Sequence, residues 1–154
     1  MNSYESTMPK HSRQNGKCIK TVHDSKPKVE ENGKKAVFLN PGNEEIKIVQ
    51  VDGCLVTGAT LRADFIVAKP TIVDVIVELK GKDIYRACDQ ITATLEVWRS
   101  NEPFSARIAG LIICSRSPAS STELQLMKVQ ARKRGIALVV EESGRREYNF
   151  EAFE

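Results

Sequence analysis

The chain has 154 residues, 28% charged and 41% hydrophobic, with a formal net charge of +3. That length and balance predict one globular domain and exclude disorder along the whole chain. No run reaches the roughly 18 apolar residues of a membrane span, and MNSYESTMPKHSRQNG has no apolar secretory core, so a cytoplasmic protein with no membrane partner is expected.

Residues 1–35 hold eight Lys/Arg against four acids and only seven hydrophobic residues, whereas residues 36–154 carry a net charge of −1. A segment so poor in apolar area does not offset its backbone ordering entropy, roughly 1–2 kcal/mol per residue. It is expected to be a mobile, basic, solubilising leader, with phosphate contact as the sharper alternative. The domain proper is expected at 36–154. Cys18, Cys54, Cys88 and Cys114 form no CxxC pair and have no His at zinc-finger spacing, which predicts four reduced thiols packed as small apolar groups.

Ala36–Leu39 reads as a short strand stopped by Asn40-Pro41-Gly42, and Glu45–Val51 as a second strand running to the Asp52-Gly53 turn. Cys54-Leu55-Val56 either continues that strand or opens another. Ala63–Ala68 and Ile72–Lys80 follow as strands joined by Lys69-Pro70-Thr71, and short links predict an antiparallel meander of four strands. The period then changes. Ile84, Ala87/Cys88, Ile91, Leu95 and Trp98 recur at helical spacing, predicting an amphipathic helix from Asp83 to Ser100 with Asp83 as N-cap and Trp98 in the core. Arg107–Cys114 lacks alternation, as a strand buried on both faces does. Ser120 and Glu123 are spaced as a capping box for a helix ending at Arg134 and Gly135. Ile136–Val140 is the next strand, and Arg145–Phe150 an edge strand or tail. The order predicts an α/β (α+β) fold: one mixed central sheet, an N-terminal antiparallel meander, and two flanking helices on right-handed crossovers.

One constellation in this scheme carries chemistry. Glu78 and Lys80 alternate onto one face of their strand while Leu79 faces the opposite layer. With the three residues 70–72 in the loop, paired positions sum to 142 and Asp64 lies across from Glu78. A one-residue change in loop length breaks that facing. Two facing carboxylates repel unless a cation sits between them, and Mg²⁺ (or Mn²⁺) accepts one or two carboxylates while leaving room for water and phosphate oxygens. The arrangement suits phosphodiester cleavage, with Lys80 orienting the water or stabilising the developing charge and the Leu79 backbone carbonyl completing the metal shell. Acidic-x-Lys occurs three times, at Asp24, Glu45 and Glu78. Only Glu78-Leu79-Lys80 has an Asp-bearing strand before it and a helix after it.

The run Asp64-Phe65-Ile66-Val67, then Val75-Ile76-Val77-Glu78-Leu79-Lys80-Gly81, then Asp83 and Ala87-Cys88-Asp89-Gln90-Ile91 resembles the PD-(D/E)xK nuclease superfamily, in particular its small bacterial and phage proteins with an ELKG strand. The resemblance spans roughly residues 36–140. It implies a restriction-endonuclease-like core, with Asp64 and Glu78 as metal ligands, Lys80 as catalytic lysine, and Gln90 as an accessory catalytic residue. Ala63 stands where that family's motif has proline. The family's further acid, from a helix before the hairpin, has only Asp52, Glu44 and Glu45 as candidates here.

Set against these readings, Glu78 and Lys80 are otherwise a surface pair worth at most about 1 kcal/mol. Asp74 shares the Glu78 face about 13 Å back along the strand and is left out of the site. Lys82 and Arg86 either meet phosphates or stay solvated. Lys128, Arg132, Lys133 and Arg134 are either a nucleic-acid footprint or cations complementing a helix C-terminus. His11 and His23 have no partners at ligand spacing. The expected protein is a Mg²⁺/Mn²⁺-dependent DNA nuclease, a homodimer if it cuts both strands. The alternatives are a non-catalytic module binding nucleic acid or a protein partner, and a subunit of a defence or repair assembly.

Overall fold

The computed structural model describes residues 16–81, 83–115, 120–142 and 147–154, apart from the side chains at 80, 81 and 142. Nine strands are present among them: β1 Ile19–Val22, β2 Lys28–Glu31, β3 Lys34–Leu39, β4 Ile46–Gln50, β5 Phe65–Lys69, β6 Val73–Gly81, β7 Ile108–Cys114, β8 Ile136–Glu142 and β9 Glu147–Asn149. Two helices, α1 Ile84–Arg99 and α2 Ser121–Lys133, fill the β6–β7 and β7–β8 crossovers. Short 3-10 turns stand at Gly16–Cys18 and Phe150–Phe153.

Six strands form the central mixed sheet in the order β1-β4-β5-β6-β7-β8, and a second sheet has the order β2-β3-β9. The fold is α/β, with antiparallel strands at the N-terminal side and a parallel β6-β7-β8 half. The expected meander is real but its membership differs. Its first strand is Ile19–Val22, while the strand at 34–39 leaves to pair with β2 and, in parallel, with β9. Strand order also corrects the leader boundary: β1 and β2 both fall within residues 1–35, and residues 1–15 lie outside the described part. The small sheet exists because Val29, Ala36, Phe38 and Tyr148 bury one face. That face packs, with Phe150 and Phe153, on the side of the central sheet presented by Val67, Val75, Val77, Leu79 and Leu111.

The opposite face is covered by α1, whose Ile84, Ala87, Ile91, Leu95 and Trp98 pack on Ile66, Ile76 and Ile112. Both helix starts follow their local signals. Asp83 accepts the N–H groups of Tyr85 and Arg86, and Ser120 with Glu123 forms the full capping box. Gly135 closes α2 at φ 83°, the left-handed conformation a helix C-cap requires. β7 is buried at every residue. Cys54-Leu55-Val56 is no strand; it lies in a turn closed by an isolated Asp52–Val56 bridge.

The cysteines divide. Cys18 and Cys54 form a disulfide with 5.6 Å between their Cα atoms, and Cys88 and Cys114 are free thiols. The expectation of four reduced thiols fails because the polar N-terminal segment folds against the turn after β4, a proximity that spacing does not reveal. No helix among the described residues is long and apolar enough to cross a membrane.

Candidate functional site

The β5–β6 hairpin has the predicted register. Phe65 pairs with Val77, Ile66 with Ile76 and Lys69 with Val73, so the loop is residues 70–72 and the next position beyond the ladder sets Asp64 against Glu78. Asp64 extends the hairpin by donating its N–H to Val77 O at 3.1 Å, and its own carbonyl accepts from Val51 N and Asp52 N at 3.0 and 3.3 Å. These bonds bring the turn after β4 beside the end of β6. The Asp64 side chain is 2% exposed, and its Oδ2 accepts the Leu79 N–H at 2.8 Å. Leu79 therefore has its N–H committed to Asp64 and its side chain fully buried in the opposite core. Along β6 the alternation places Glu78 on the face of Ile76, toward α1, and Glu78 is 1% exposed.

The pairing of β6 with β7 slips between Glu78 and Gly81, where the two steps of β7 from Ile112 to Cys114 face three steps of β6. An irregularity of this kind re-aims side chains and interrupts ladder bonding, and it recurs next to active sites. It falls on Leu79 and Lys80. The side chain of Lys80 and the whole of Lys82 lie outside the described residues.

Asp64 shares its surroundings with two further acids. One carboxylate oxygen each of Glu31, Asp52 and Asp64 lies within 4.8 Å of the others. Asp52 was among the candidates for the family's further acid. Glu31 was not, because it sits in the segment read as leader, and only the packing of β2 over the central sheet delivers it. Glu44 and Glu45 are occupied elsewhere, paired with Lys69 at 3.0 Å and Lys47 at 3.7 Å. Glu78 is not a member of the three-acid group, although it shares the hairpin end.

A polar cleft of about 360 Å³ opens here, lined among others by Asp52, Thr60, Arg62, Asp64, Arg86 and Gln90. Arg62 donates from Nε to Asp52 Oδ1 at 3.0 Å and from Nη1 to the carbonyls of Gly58 and Thr60. It thus folds the 58–62 segment into a wall and supplies one positive charge to the acids. Gln90 reaches the cleft from α1 with its amide committed, Nε2 donating to Arg62 O at 3.0 Å. One turn further along, Thr94 Oγ1 accepts Ala63 N at 2.7 Å. The two side chains, four residues apart on one helix face, clamp residues 62–63 so that Asp64 enters the hairpin in place. Arg86 is exposed in the first turn of α1.

The basic run at the end of α2 lies elsewhere. Arg134 precedes Ile136, which pairs through Ile108 to Asp74, the far end of β6 from Glu78. Arg99 Nη2 donates to Arg134 O there. Asp74 is a core anchor, its Oδ2 accepting Trp98 Nε1 at 2.8 Å and Phe104 N at 2.9 Å.

The cleft is thus a carboxylate cluster at the C-terminal end of the parallel strands, where open α/β sheets bind ligands. No family model matches the chain, and no curated protein or solved structure matches it.

Proposed function

We propose that this chain is a metal-dependent nuclease that hydrolyses phosphodiester bonds in DNA, working in the cytoplasm. The observation that carries the reading is the bond from Leu79 N–H to Asp64 Oδ2, which ties an acid from one strand into the Glu78-Leu79-Lys80 triplet of the next. The donors that fit a hard divalent cation are one carboxylate oxygen each of Glu31, Asp52 and Asp64, with Arg62 as counter-charge on Asp52. Asp64 and Glu78, with the Leu79 backbone carbonyl, are the proposed ligands of Mg²⁺ or Mn²⁺, and Asp52 stands ready beside Asp64. When bound, the ion supplies charge neutralisation at the phosphate and a more acidic water.

The remaining work falls to the chain. Arg86, exposed at the cleft, binds a phosphate oxygen and holds the backbone of the nucleic acid over the acids. Gln90 and Thr94 keep residues 62–64 fixed, so that the cluster is held before substrate arrives. Lys80 enters on its position two residues after Glu78 and is assigned the stabilisation of charge at the scissile phosphate. One such cleft cuts one strand, and a homodimer would cut both. Incubating plasmid and linear DNA with Mg²⁺ or Mn²⁺ tests the assignment against Asp64→Ala and Lys80→Ala. Equal activity in all three proteins overturns it.

The second reading is a non-catalytic module that binds nucleic acid or a protein partner, alone or within a defence or repair assembly. Two features favour it: Glu78 lies outside the residues lining the cleft, and residues 36–154 carry a net charge of −1. Calorimetry separates the two. A silent Mn²⁺ titration beside measurable DNA or partner binding supports the module.

A further inference from the structure

We propose that the Cys18–Cys54 disulfide is a redox latch on this cleft, closed by oxidation and opened by a dithiol reductant. The inference rests on the functional reading above, because the latch regulates the same acids. The bond joins the turn before β1 to residue 54, two positions from Asp52 and within the 51–63 segment that also carries Arg62. The backbone bonds at Cys54, Leu55 and Val56 stay local, to Val51 and Gln50. Val56 is seated in the helix-side core and Leu55 packs against it, and Cys54 adds a covalent tie to the turn before β1. A disulfide in a reducing compartment is more often a redox sensor than a brace.

The two sulfurs are not equivalent. Cys18 is buried at 4% exposure, whereas Cys54 is half-buried. Cys18 also lines a separate cleft of about 290 Å³ with Lys17, Lys20, Lys28 and Glu30, Lys28 lying 3.9 Å from Glu30. Access decides which sulfur a reductant reaches first. A dithiol thiolate therefore attacks Cys54 Sγ, forming a mixed disulfide and expelling the Cys18 thiolate. The second thiol of the reductant then attacks its own sulfur in that mixed disulfide and releases the Cys54 thiolate. Two electrons pass to the protein, its two sulfurs take up the two protons of the dithiol, and the reductant leaves as a disulfide. Once open, the 53–55 turn loses its covalent tie to the turn before β1, and Asp52 is kept beside Asp64 only by its N–H bond to Asp64 O and its ion pair with Arg62, a looser hold.

The test uses the full chain oxidised, reduced with dithiothreitol, and as Cys18→Ser/Cys54→Ser. Free thiols are counted by mass, amide exchange is followed at 51–62, and Mn²⁺ affinity is measured by calorimetry. Expected on reduction are a rise from two to four thiols, at least about tenfold faster exchange at 51–62 with β6 and β7 unchanged, and about tenfold weaker Mn²⁺ binding, the loss of one supporting carboxylate. Reoxidation restores all three. A bond that resists the dithiol, or unchanged exchange at 51–62 after its reduction, overturns the latch. Should the double variant fail to fold, reduced wild-type protein gives the same comparison. If exchange switches but neither state cleaves DNA, the nuclease reading falls and the latch stands. Equal cleavage and equal exchange in both states removes the latch alone.

Discussion

The Asp64 carboxylate accepts the main-chain N–H of Leu79 at 2.8 Å, across fifteen residues of chain. The acid that begins the β5 side of the hairpin is thereby bonded into the centre of the Glu78-Leu79-Lys80 triplet, and both acids are almost wholly buried. Leu79 needs this acceptor because β5 pairs only as far as Phe65. A buried N–H without a partner costs about 1–3 kcal/mol.

Asp64 therefore has two separable tasks. Asp64→Asn keeps an acceptor oxygen and is expected to lower cleavage at least about a hundredfold with little change in stability. Asp64→Ala should lose activity equally and, in addition, about 1–3 kcal/mol of stability in urea unfolding. Glu78→Gln should resemble Asp64→Asn in activity. Two variants that cleave like wild type would remove the metal-site assignment.

Arg86 is exposed at the cleft and bonded there through its backbone to the Asp83 cap. Arg86→Ala is expected to raise KM for DNA with kcat nearly unchanged. It should also reduce the slope of log affinity against log salt by about one, the loss of one phosphate contact. An unchanged salt slope would assign Arg86 to solvent.

Asp74 provides the pH dependence. Burial raises its pKa above the ordinary carboxylate value, and the hydrogen bonds from Trp98, Ser105 and Phe104 oppose that only in part. The native state then holds this proton more tightly than the unfolded chain does. Its stabilising contribution is complete below about pH 4 and falls as pH rises through the raised value. The stability of wild type relative to Asp74→Asn, measured by urea unfolding from pH 3.5 to 7, should therefore decline with rising pH. A difference that grows instead would contradict the assignment.

Gly110 sets the spacing of α1 from the sheet. A Cβ built there would meet Ile91 Cγ2 at 3.0 Å, Leu138 Cδ1 at 3.2 Å and Ile136 Cδ1 at 3.4 Å. These are ends of side chains that can shift a few tenths of an ångström, so Gly110→Ala is expected to cost little. Gly110→Val overfills the layer and should cost about 1–3 kcal/mol by chemical denaturation. Wild-type stability for the valine variant would show that α1 moves freely.

What the sequence determined by itself is local. Asp83 and Ser120 begin helices because their side chains meet N–H groups two or three residues on. The β5–β6 register follows from a three-residue loop, and with it the opposition of Asp64 and Glu78. β7 is legible because burial on both faces removes alternation. Tertiary structure decided the rest. Glu31 joins Asp52 and Asp64 only because a second sheet, closed by the parallel β3–β9 pair, lies over the first. The Cys18–Cys54 bond, the Asp74–Trp98 anchor and the Gln90 clamp on Arg62 likewise join residues 24 to 36 positions apart. Periodicity and capping report neighbours a turn or a hairpin away. Partners brought together by the stacking of layers leave no such mark, because that proximity is set by the burial of whole faces.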